Sequence, residues 1–297
     1  MRSLRILLTE IIDYAGLFPP ASLRMLPAVQ NYANYRTGEN SWALARFIVP
    51  TSRLDEFRAV ADPFLPRKGG EPWQLSCLCS GSDDDFSAIQ AFNRDHATDS
   101  SQGRVIVDMV EGKANSRAEI EKLASQRGDL KMFVEIPIQN DPTEFIGTMK
   151  RNRVSAKVRT GGITSEAFPS SVDLARFIVR CVEHDVEFKA TAGLHHPLRS
   201  LYKLTYEPGS ASGKMFGFLN VFLATALARK GVSQTEIARL LEEEDHRSFS
   251  FDDEGISWST YLFERGELKS LRQSGASSFG SCSFTEPIED INALGLL

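Results

Sequence analysis

Two lysine-bearing segments of this 297-residue chain have the residue types that covalent chemistry on a carbonyl group requires. The segments SAKVRTGG and EFKATAGLHH are separated by one amphipathic helix. If each is a strand, Lys157 and Arg159 share one face of the first, and Lys189 and Thr191 share one face of the second. A lysine beside an arginine in a site shielded from water is expected to have a lowered pKa. Its neutral amine can then attack a carbonyl carbon and form a Schiff base.

The opposite face of each segment is apolar, with Ala156 and Val158 in the first and Phe188 and Ala190 in the second. In an open parallel sheet both faces of a strand are normally apolar. A closed barrel, in contrast, can hold polar side chains around a reactive centre in its interior. The two segments therefore favour a barrel over an open sheet.

Strand-like and helix-like segments alternate along the chain, which predicts parallel strands joined by right-handed crossovers. The length also suits a barrel of eight strands and eight helices, which typically needs about 250 residues. We therefore predict an α/β fold, a (β/α)8 TIM barrel. We expect one domain spanning residues 1–297, with residues from about 249 to 297 forming a C-terminal extension.

Several details of the barrel follow from alternation. In the fourth strand, RVIVDMVEGK, it places Asp108 and Val110 on the inner face, and in the fifth, KMFVEIPIQN, it places Phe133 and Glu135 there. The eighth strand is assigned to FGFLNV, within an apolar run for which a helix is the alternative. The double proline of IIDYAGLFPPA marks a rigid loop after the first strand, which we expect to wall the pocket.

Active sites of such barrels lie at the carboxyl ends of the strands. Charged residues near those ends include Asp13, and we assign Lys157, Lys189, Asp108 and Glu135 as candidate catalytic residues. Unpaired buried charges are costly, so the cations and acids of the interior should pair. We expect three acids to balance three cations there: Asp108, Glu135 and Glu187 against Lys157, Arg159 and Lys189.

Neighbouring residues are candidates for holding the substrate. The Arg159 guanidinium and the backbone N–H groups of Gly161 and Gly162 can receive a carboxylate or phosphate, although a glycine pair can also serve a tight turn. His195 is a candidate acid or base, or a metal ligand, with capping of the turn before Pro197 as the alternative. The candidate substrate-binding residues are Arg46, Arg159, Thr160, Gly161, Gly162, Thr191 and His195.

KVRTGG and KATAGL resemble the lysine-bearing sixth and seventh strands of class I aldolases of the deoxyribose-phosphate aldolase type, a resemblance that covers residues 104–196. It implies a Schiff-base lyase in which Lys157 is the nucleophile, Lys189 lowers its pKa and Asp108, in VDMVEG, relays protons. Arg159 has no counterpart in that family's pattern. The resemblance implies an enzyme of small-molecule metabolism acting on a carbonyl or carboxylate compound, with no cofactor and no metal.

Two other functions are compatible with the same residues. One is a divalent-metal-dependent lyase or isomerase that uses Asp108, Glu135 and His195, with Lys189 as the base. The other is a non-catalytic barrel that binds anions, in which the charged side chains form a satisfied network. In all three cases the expected partner is a small, anionic molecule.

Composition excludes several classes of protein. The formal net charge of −5 and the pI near 5.7 argue against nucleic-acid binding. No window approaches eighteen apolar residues, so we expect no membrane span. Glu10 and Asp13 interrupt the N-terminal apolar run, which is unlike a signal peptide.

The four cysteines lack paired metal-site spacing and suggest reduced thiols in the cytoplasm. The apolar run 216–227 is a candidate interface of a homo-oligomer, with core packing as the alternative.

Overall fold

A computed structural model describes residues 1–97 and 103–297 of the chain. Its strands are β1 (Ile12–Tyr14), β2 (Leu44–Pro50), β3 (Trp73–Leu78), β4 (Val105–Lys113), β5 (Lys131–Glu135), β6 (Ser155–Arg159), β7 (Phe188–Thr191), β8 (Ser200–Lys203), β9 (Ser212–Met215), β10 (Phe249–Phe251), β11 (Gly255–Trp258), β12 (Tyr261–Glu264) and β13 (Ala276–Ser281). Its helices are α1 (Arg2–Leu8), α2 (Met25–Thr37), α3 (Leu54–Ala61), α4 (Asp83–Asp95), α5 (Arg117–Gln126), α6 (Thr143–Asn152), α7 (Ser171–Glu183), α8 (Phe218–Arg229), α9 (Gln234–Leu241), α10 (Arg265–Ser274) and α11 (Thr285–Ala293).

Eight parallel strands close into a barrel in the order β1-β13-β7-β6-β5-β4-β3-β2. The predicted (β/α)8 class is therefore confirmed. Two small antiparallel sheets lie outside the barrel, the hairpin β8–β9 and the three-stranded sheet β10-β11-β12. Neither sheet was predicted, since each consists of strands of three or four residues.

The position of the eighth strand was wrong. FGFLNV runs into α8, whose residues are buried from Phe218 to Ala228, and the strand that closes the barrel is β13, paired with both β1 and β7. A segment that is apolar on every side suits a helix surrounded by the core. Residues 276–281, within the predicted C-terminal extension, thus belong to the barrel, and the apolar run 216–227 is buried within this chain.

The helices following β3, β4 and β6 are each capped by a serine. The Ser82, Ser116 and Ser170 hydroxyls accept hydrogen bonds from the backbone N–H groups of Asp85, Glu119 and Asp173, respectively. Such caps satisfy donors that would otherwise lack partners at the start of a helix. They fix the loops at the carboxyl ends of the strands, where the candidate site lies.

An irregularity in β4 changes which side chains enter the barrel. Leu75 of β3 pairs with Val107, but the next residue, Ser76, pairs with Met109, so Asp108 is one extra residue in β4. Such a bulge reverses the alternation of faces beyond it. Val110, predicted to face inward, packs in the hydrophobic core instead. The side chain of Glu111 enters the interior.

None of the helices in residues 1–97 and 103–297 has the length and apolar character needed to cross a membrane.

Candidate functional site

A cavity of about 270 Å³ opens at the carboxyl ends of the barrel strands. Its lining combines charged, neutral polar and apolar side chains. They are Glu111, Lys157 and Arg159; Thr191, His195 and Cys282; and Ala15, Phe18, Pro19, Ile48, Leu78, Ala192 and Ile163, with Gly162 and Gly280 between them. The loop after β1 contributes Ala15, Phe18 and Pro19, so it walls the pocket as predicted.

Glu111 is the carboxylate that joins the two lysines. Its Oε2 lies 2.9 Å from Lys157 Nζ, and its Oε1 accepts a hydrogen bond of 2.6 Å from Lys189 Nζ and one of 2.7 Å from the Ser76 hydroxyl. Burial alone would raise the pKa of Glu111, but the two lysines lower it far below its usual value. Glu111 is therefore ionised at neutral pH.

Lys189 lies beneath the cavity and has no exposed side-chain surface. Its Nζ donates to Asp13 Oδ2 at 2.7 Å and to Glu111 Oε1 at 2.6 Å. Asp13 is held in turn by the Ser278 hydroxyl at 2.5 Å and the backbone N–H of Arg46 at 3.0 Å. Burial favours the neutral amine, but Asp13 and Glu111 outweigh it and raise the pKa of Lys189. Lys189 is therefore held as an ammonium group at neutral pH.

Lys157 lines the cavity although its side chain is only 5% exposed. It stands opposite Lys189 in the β6–β7 pairing, and its Nζ lies 2.9 Å from Glu111 Oε2 and 3.3 Å from Glu135 Oε2. Glu135 is also 3.1 Å from Arg159 Nε. Burial would raise the pKa of Glu135, but Lys157 and Arg159 lower it. The Lys157 amino group is thus placed between two ionised carboxylates.

Asp108 and Arg46 form a separate pair. The Arg46 guanidinium donates two hydrogen bonds, of 2.8 and 2.5 Å, to the Asp108 carboxylate, and neither residue lines the cavity. Asp108 was assigned as a proton relay and Arg46 as a substrate contact, and the structure places both away from the cavity. The carboxylate of β4 that contacts both lysines is Glu111.

The expected partners of the interior cations were also partly wrong. Glu187 lies before β7 and pairs with Lys131 at 2.7 Å, outside the network. Only Glu135 was placed correctly. The acids that balance Lys157, Arg159 and Lys189 are Asp13, Glu111 and Glu135.

The turn after β6 is held by packing. The Thr160 hydroxyl, fully buried, donates to the backbone carbonyl of Ala192 at 2.6 Å. A Cβ on Gly161 would lie 2.3 Å from the Phe168 ring, and one on Gly193, whose φ is +66°, would lie 2.8 Å from Gly161 Cα. Glycine is therefore required for the close approach of the two turns. Thr160 and Gly161 have structural contacts, whereas Gly162 and Thr191 line the cavity.

His195 lines the cavity from the loop after β7 and shares a hydrogen bond of 2.9 Å with the Ser281 hydroxyl through Nδ1. Burial, followed by the neighbouring His196, lowers the pKa of His195 to about 4. The ring is therefore neutral at pH 7. Among the described residues no three His, Cys, Asp or Glu side chains are close enough to hold a metal ion, so Asp108, Glu135 and His195 do not form the ligand set of the metal-dependent alternative.

Sequence reasoning missed Glu111 and gave Asp13 no partner. Asp13 was recognisable as an acid at the end of the first strand, and its pairing depends on β13, which alternation did not reveal. The signal for Glu111 was an acid one residue before Gly112, near the end of a strand. The bulge at Asp108 concealed it, because strict alternation assigns Glu111 to the outer face.

No protein-family model matches the sequence, and no curated protein sequence is significantly similar to it. Two solved structures show weak likeness. The lysine/ornithine decarboxylase complexed with cadaverine from Vibrio vulnificus is 13% identical with a TM-score of 0.36, over 64% of this chain and 48% of that chain. The nitroalkane oxidase from Streptomyces ansochromogenes is 14% identical with a TM-score of 0.33, over 66% and 62%. The chain spans less than two thirds of either protein, and at these TM-scores neither likeness carries an argument about function.

Proposed function

We propose that this protein is a carbon–carbon lyase of the aldolase type, which binds a small carbonyl substrate as a Schiff base on Lys157. One observation carries the proposal. The amino group of Lys157 is the lysine nitrogen at the cavity, with two carboxylates within 3.3 Å to exchange protons with it. Nucleophilic lysines require such proton acceptors nearby.

The chemistry balances with the groups present. The Lys157 ammonium transfers a proton to Glu111 or Glu135, and the amine adds to the substrate carbonyl carbon to give a carbinolamine. A protonated carboxyl returns the proton to the carbinolamine hydroxyl, which leaves as water and gives an iminium ion. A carboxylate then takes the proton of the substrate's β-hydroxyl group. The electrons of that O–H bond form the carbonyl group of the first product, which leaves as the carbon–carbon bond breaks and its electrons move into the iminium to form an enamine. Protonation of the enamine carbon by a carboxyl group and hydrolysis of the resulting iminium then release the second product and free Lys157.

In this proposal Lys189 is a positioning residue. It remains an ammonium group between Asp13 and Glu111 and holds the Glu111 carboxylate 2.9 Å from Lys157. Glu111 takes the role that the aldolase resemblance implied for Asp108. Arg159, whose side chain is about half exposed at the cavity, is proposed to bind an anionic group of the substrate.

Reductive trapping tests the proposal. The protein is incubated with small aldehydes, ketones and 2-oxo acids and reduced with borohydride, and adducts are located by mass spectrometry of peptides. We expect one adduct on Lys157, lost in Lys157→Ala. Lys131→Ala is the matched control because Lys131 lies on the neighbouring strand but pairs with Glu187 away from the cavity, and it should keep full labelling.

An anion-binding protein without catalysis remains the second candidate, because every charged side chain of the network has a partner of opposite charge. It predicts thermal stabilisation by carboxylates that depends on Arg159, with no adduct from any carbonyl compound. Labelling spread over exposed lysines and unchanged in Lys157→Ala would reject the Schiff-base proposal.

A further inference from the structure

The polarity of the side chains that line the cavity depends on which strands of the barrel contribute them. The first three strands and the loop after β1 contribute only apolar side chains to its lining: Ala15, Phe18, Pro19, Ile48 and Leu78. We call these five residues the apolar wall. None of them can bond a hydroxyl or phosphate group of a ligand through its side chain.

The rest of the lining contains all six of its polar side chains, together with the apolar Ile163 and Ala192 and two glycines. Strands β4 and β6 contribute Glu111, Lys157 and Arg159. Strand β7, the loop after it and the segment after β13 contribute Thr191, His195 and Cys282, respectively. A ligand whose carbonyl carbon reaches Lys157 and whose anionic group reaches Arg159 has the apolar wall along its remaining side. A hydroxylated or phosphorylated group there would lose its hydration without gaining side-chain hydrogen bonds.

We propose that the substrate carries a hydrocarbon or aryl group that packs against the apolar wall. This inference rests on the proposed Schiff-base function for the position of the carbonyl group, and the apolar contact itself can be tested without that chemistry. The cavity volume of about 270 Å³ limits the ligand to a small molecule. Burial of a methylene group increases affinity about fourfold.

Binding of carboxylates that have no carbonyl carbon open to imine formation tests the apolar wall alone. Acetate, butanoate, hexanoate and phenylacetate are titrated by calorimetry against the full chain, with glycerate and inorganic phosphate as polar probes. We expect the affinity to rise two- to fourfold per methylene group until the cavity is filled. Glycerate should bind no more tightly than acetate. Equal affinities across the series would overturn the proposal.

Two variants localise the effect. Phe18→Ser and Ile48→Thr should reduce hexanoate affinity at least fivefold while leaving acetate affinity unchanged, which separates loss of the apolar contact from general misfolding. Leu201→Ser is the matched control, since Leu201 is 63% exposed on β8 and does not line the cavity. A steep chain-length dependence that survives in both Phe18→Ser and Ile48→Thr would place the hydrocarbon elsewhere and overturn the proposal.

Reductive trapping with hexanal, phenylacetaldehyde and glycolaldehyde distinguishes this proposal from the proposed function. The labelling rate of Lys157 is divided by that of an exposed lysine treated with the same aldehyde. This ratio should be at least tenfold higher for hexanal and phenylacetaldehyde than for glycolaldehyde. A chain-length dependence of carboxylate binding with no adduct supports the apolar wall and rejects the Schiff base. Equal labelling by all three aldehydes, with no chain-length dependence, supports the Schiff base and rejects the apolar wall.

Discussion

At the scale of single residues, the interior of the barrel depends on Glu111. Its carboxylate contacts both lysines, and the Ser76 hydroxyl donates to it as well. A buried charge without a partner is far more costly than a satisfied buried pair. Removing Glu111 leaves Lys157 with Glu135 and Lys189 with Asp13, so each lysine retains one carboxylate.

We expect Glu111→Gln to lower the free energy of unfolding by about 3 kcal/mol at pH 7, because two buried cations each lose one anionic partner. Glu187→Gln is the matched control. Its partner, Lys131, is 45% exposed, so the change should cost less than about 1 kcal/mol. Urea unfolding of the three proteins measures both effects.

The effect of Glu111→Gln also has a definite pH dependence. Folding lowers the pKa of Glu111 from its ordinary value of 4.5. The stabilisation that the Glu111 carboxylate provides is therefore complete above about pH 4.5 and declines as the pH falls below that value. The difference in urea midpoint between wild type and Glu111→Gln should be constant from pH 5.5 to 7 and narrow below pH 4.5. A difference that widens in acid would contradict this assignment.

His195 gives a second prediction. With a folded-state pKa near 4, it remains neutral where the unfolded chain, with an ordinary value of 6.5, binds a proton. Wild type should therefore lose up to about 3 kcal/mol of stability between pH 7 and pH 4 relative to His195→Gln. The imidazole resonance absent from spectra of His195→Gln should titrate near pH 4, and a midpoint near 6.5 would contradict the buried, neutral ring.

At the scale of secondary-structure elements, β4 determines which acid serves the lysines. Alternation identified the strand, as it did β5, β6 and β7, since each has an apolar outer face. The bulge at Asp108 is a backbone feature that side-chain periodicity does not encode. The prediction that Val110 faces inward was therefore wrong, and Glu111 enters the interior beyond the bulge.

The two acids of β4 should behave differently on substitution. Asp108→Asn weakens the ion pair with Arg46. The Arg46 and Asp108 side chains are 21% and 28% exposed, so the substitution should lower the free energy of unfolding by about 1 kcal/mol. It should leave borohydride labelling of Lys157 within about twofold of wild type. Glu111→Gln should slow that labelling at least tenfold. The reverse order would restore Asp108 as the proton relay.

The eighth strand shows the other limit of periodicity. ASSFGS has a single large apolar residue, because its other positions meet the barrel at close range. The Ser278 hydroxyl binds Asp13, and a Cβ on Gly280 would lie 3.4 Å from Ile48. A strand made of small, buried polar residues has no apolar periodicity, so its sequence resembles that of a loop. The strand was instead assigned within the apolar run 216–227, most of which lies in α8, so the helix that was the alternative for this run is confirmed.

At the scale of the whole molecule, the barrel class followed from the polar inner faces of two strands, whereas the network of charges did not. Six acidic and basic side chains meet from β1, β4, β5, β6 and β7, strands that lie between residues 12 and 191 of the chain. Which cation meets which acid depends on strand tilt and register, and these are set only when the barrel closes.

The place of β13 in the barrel also affects how the molecule is made. During synthesis, β1 leaves the ribosome before the other barrel strands and β13 leaves after them, although β13 lies between β1 and β7 in the barrel. Until residue 281 has emerged, the growing chain is an open sheet whose two edges are β1 and β7. The contact of Asp13 with Lys189 spans those edges, so the nascent chain cannot complete its charge network until β13 has been translated. A ribosome that stalls before Ala276 would leave two unpaired strand edges available to other nascent chains.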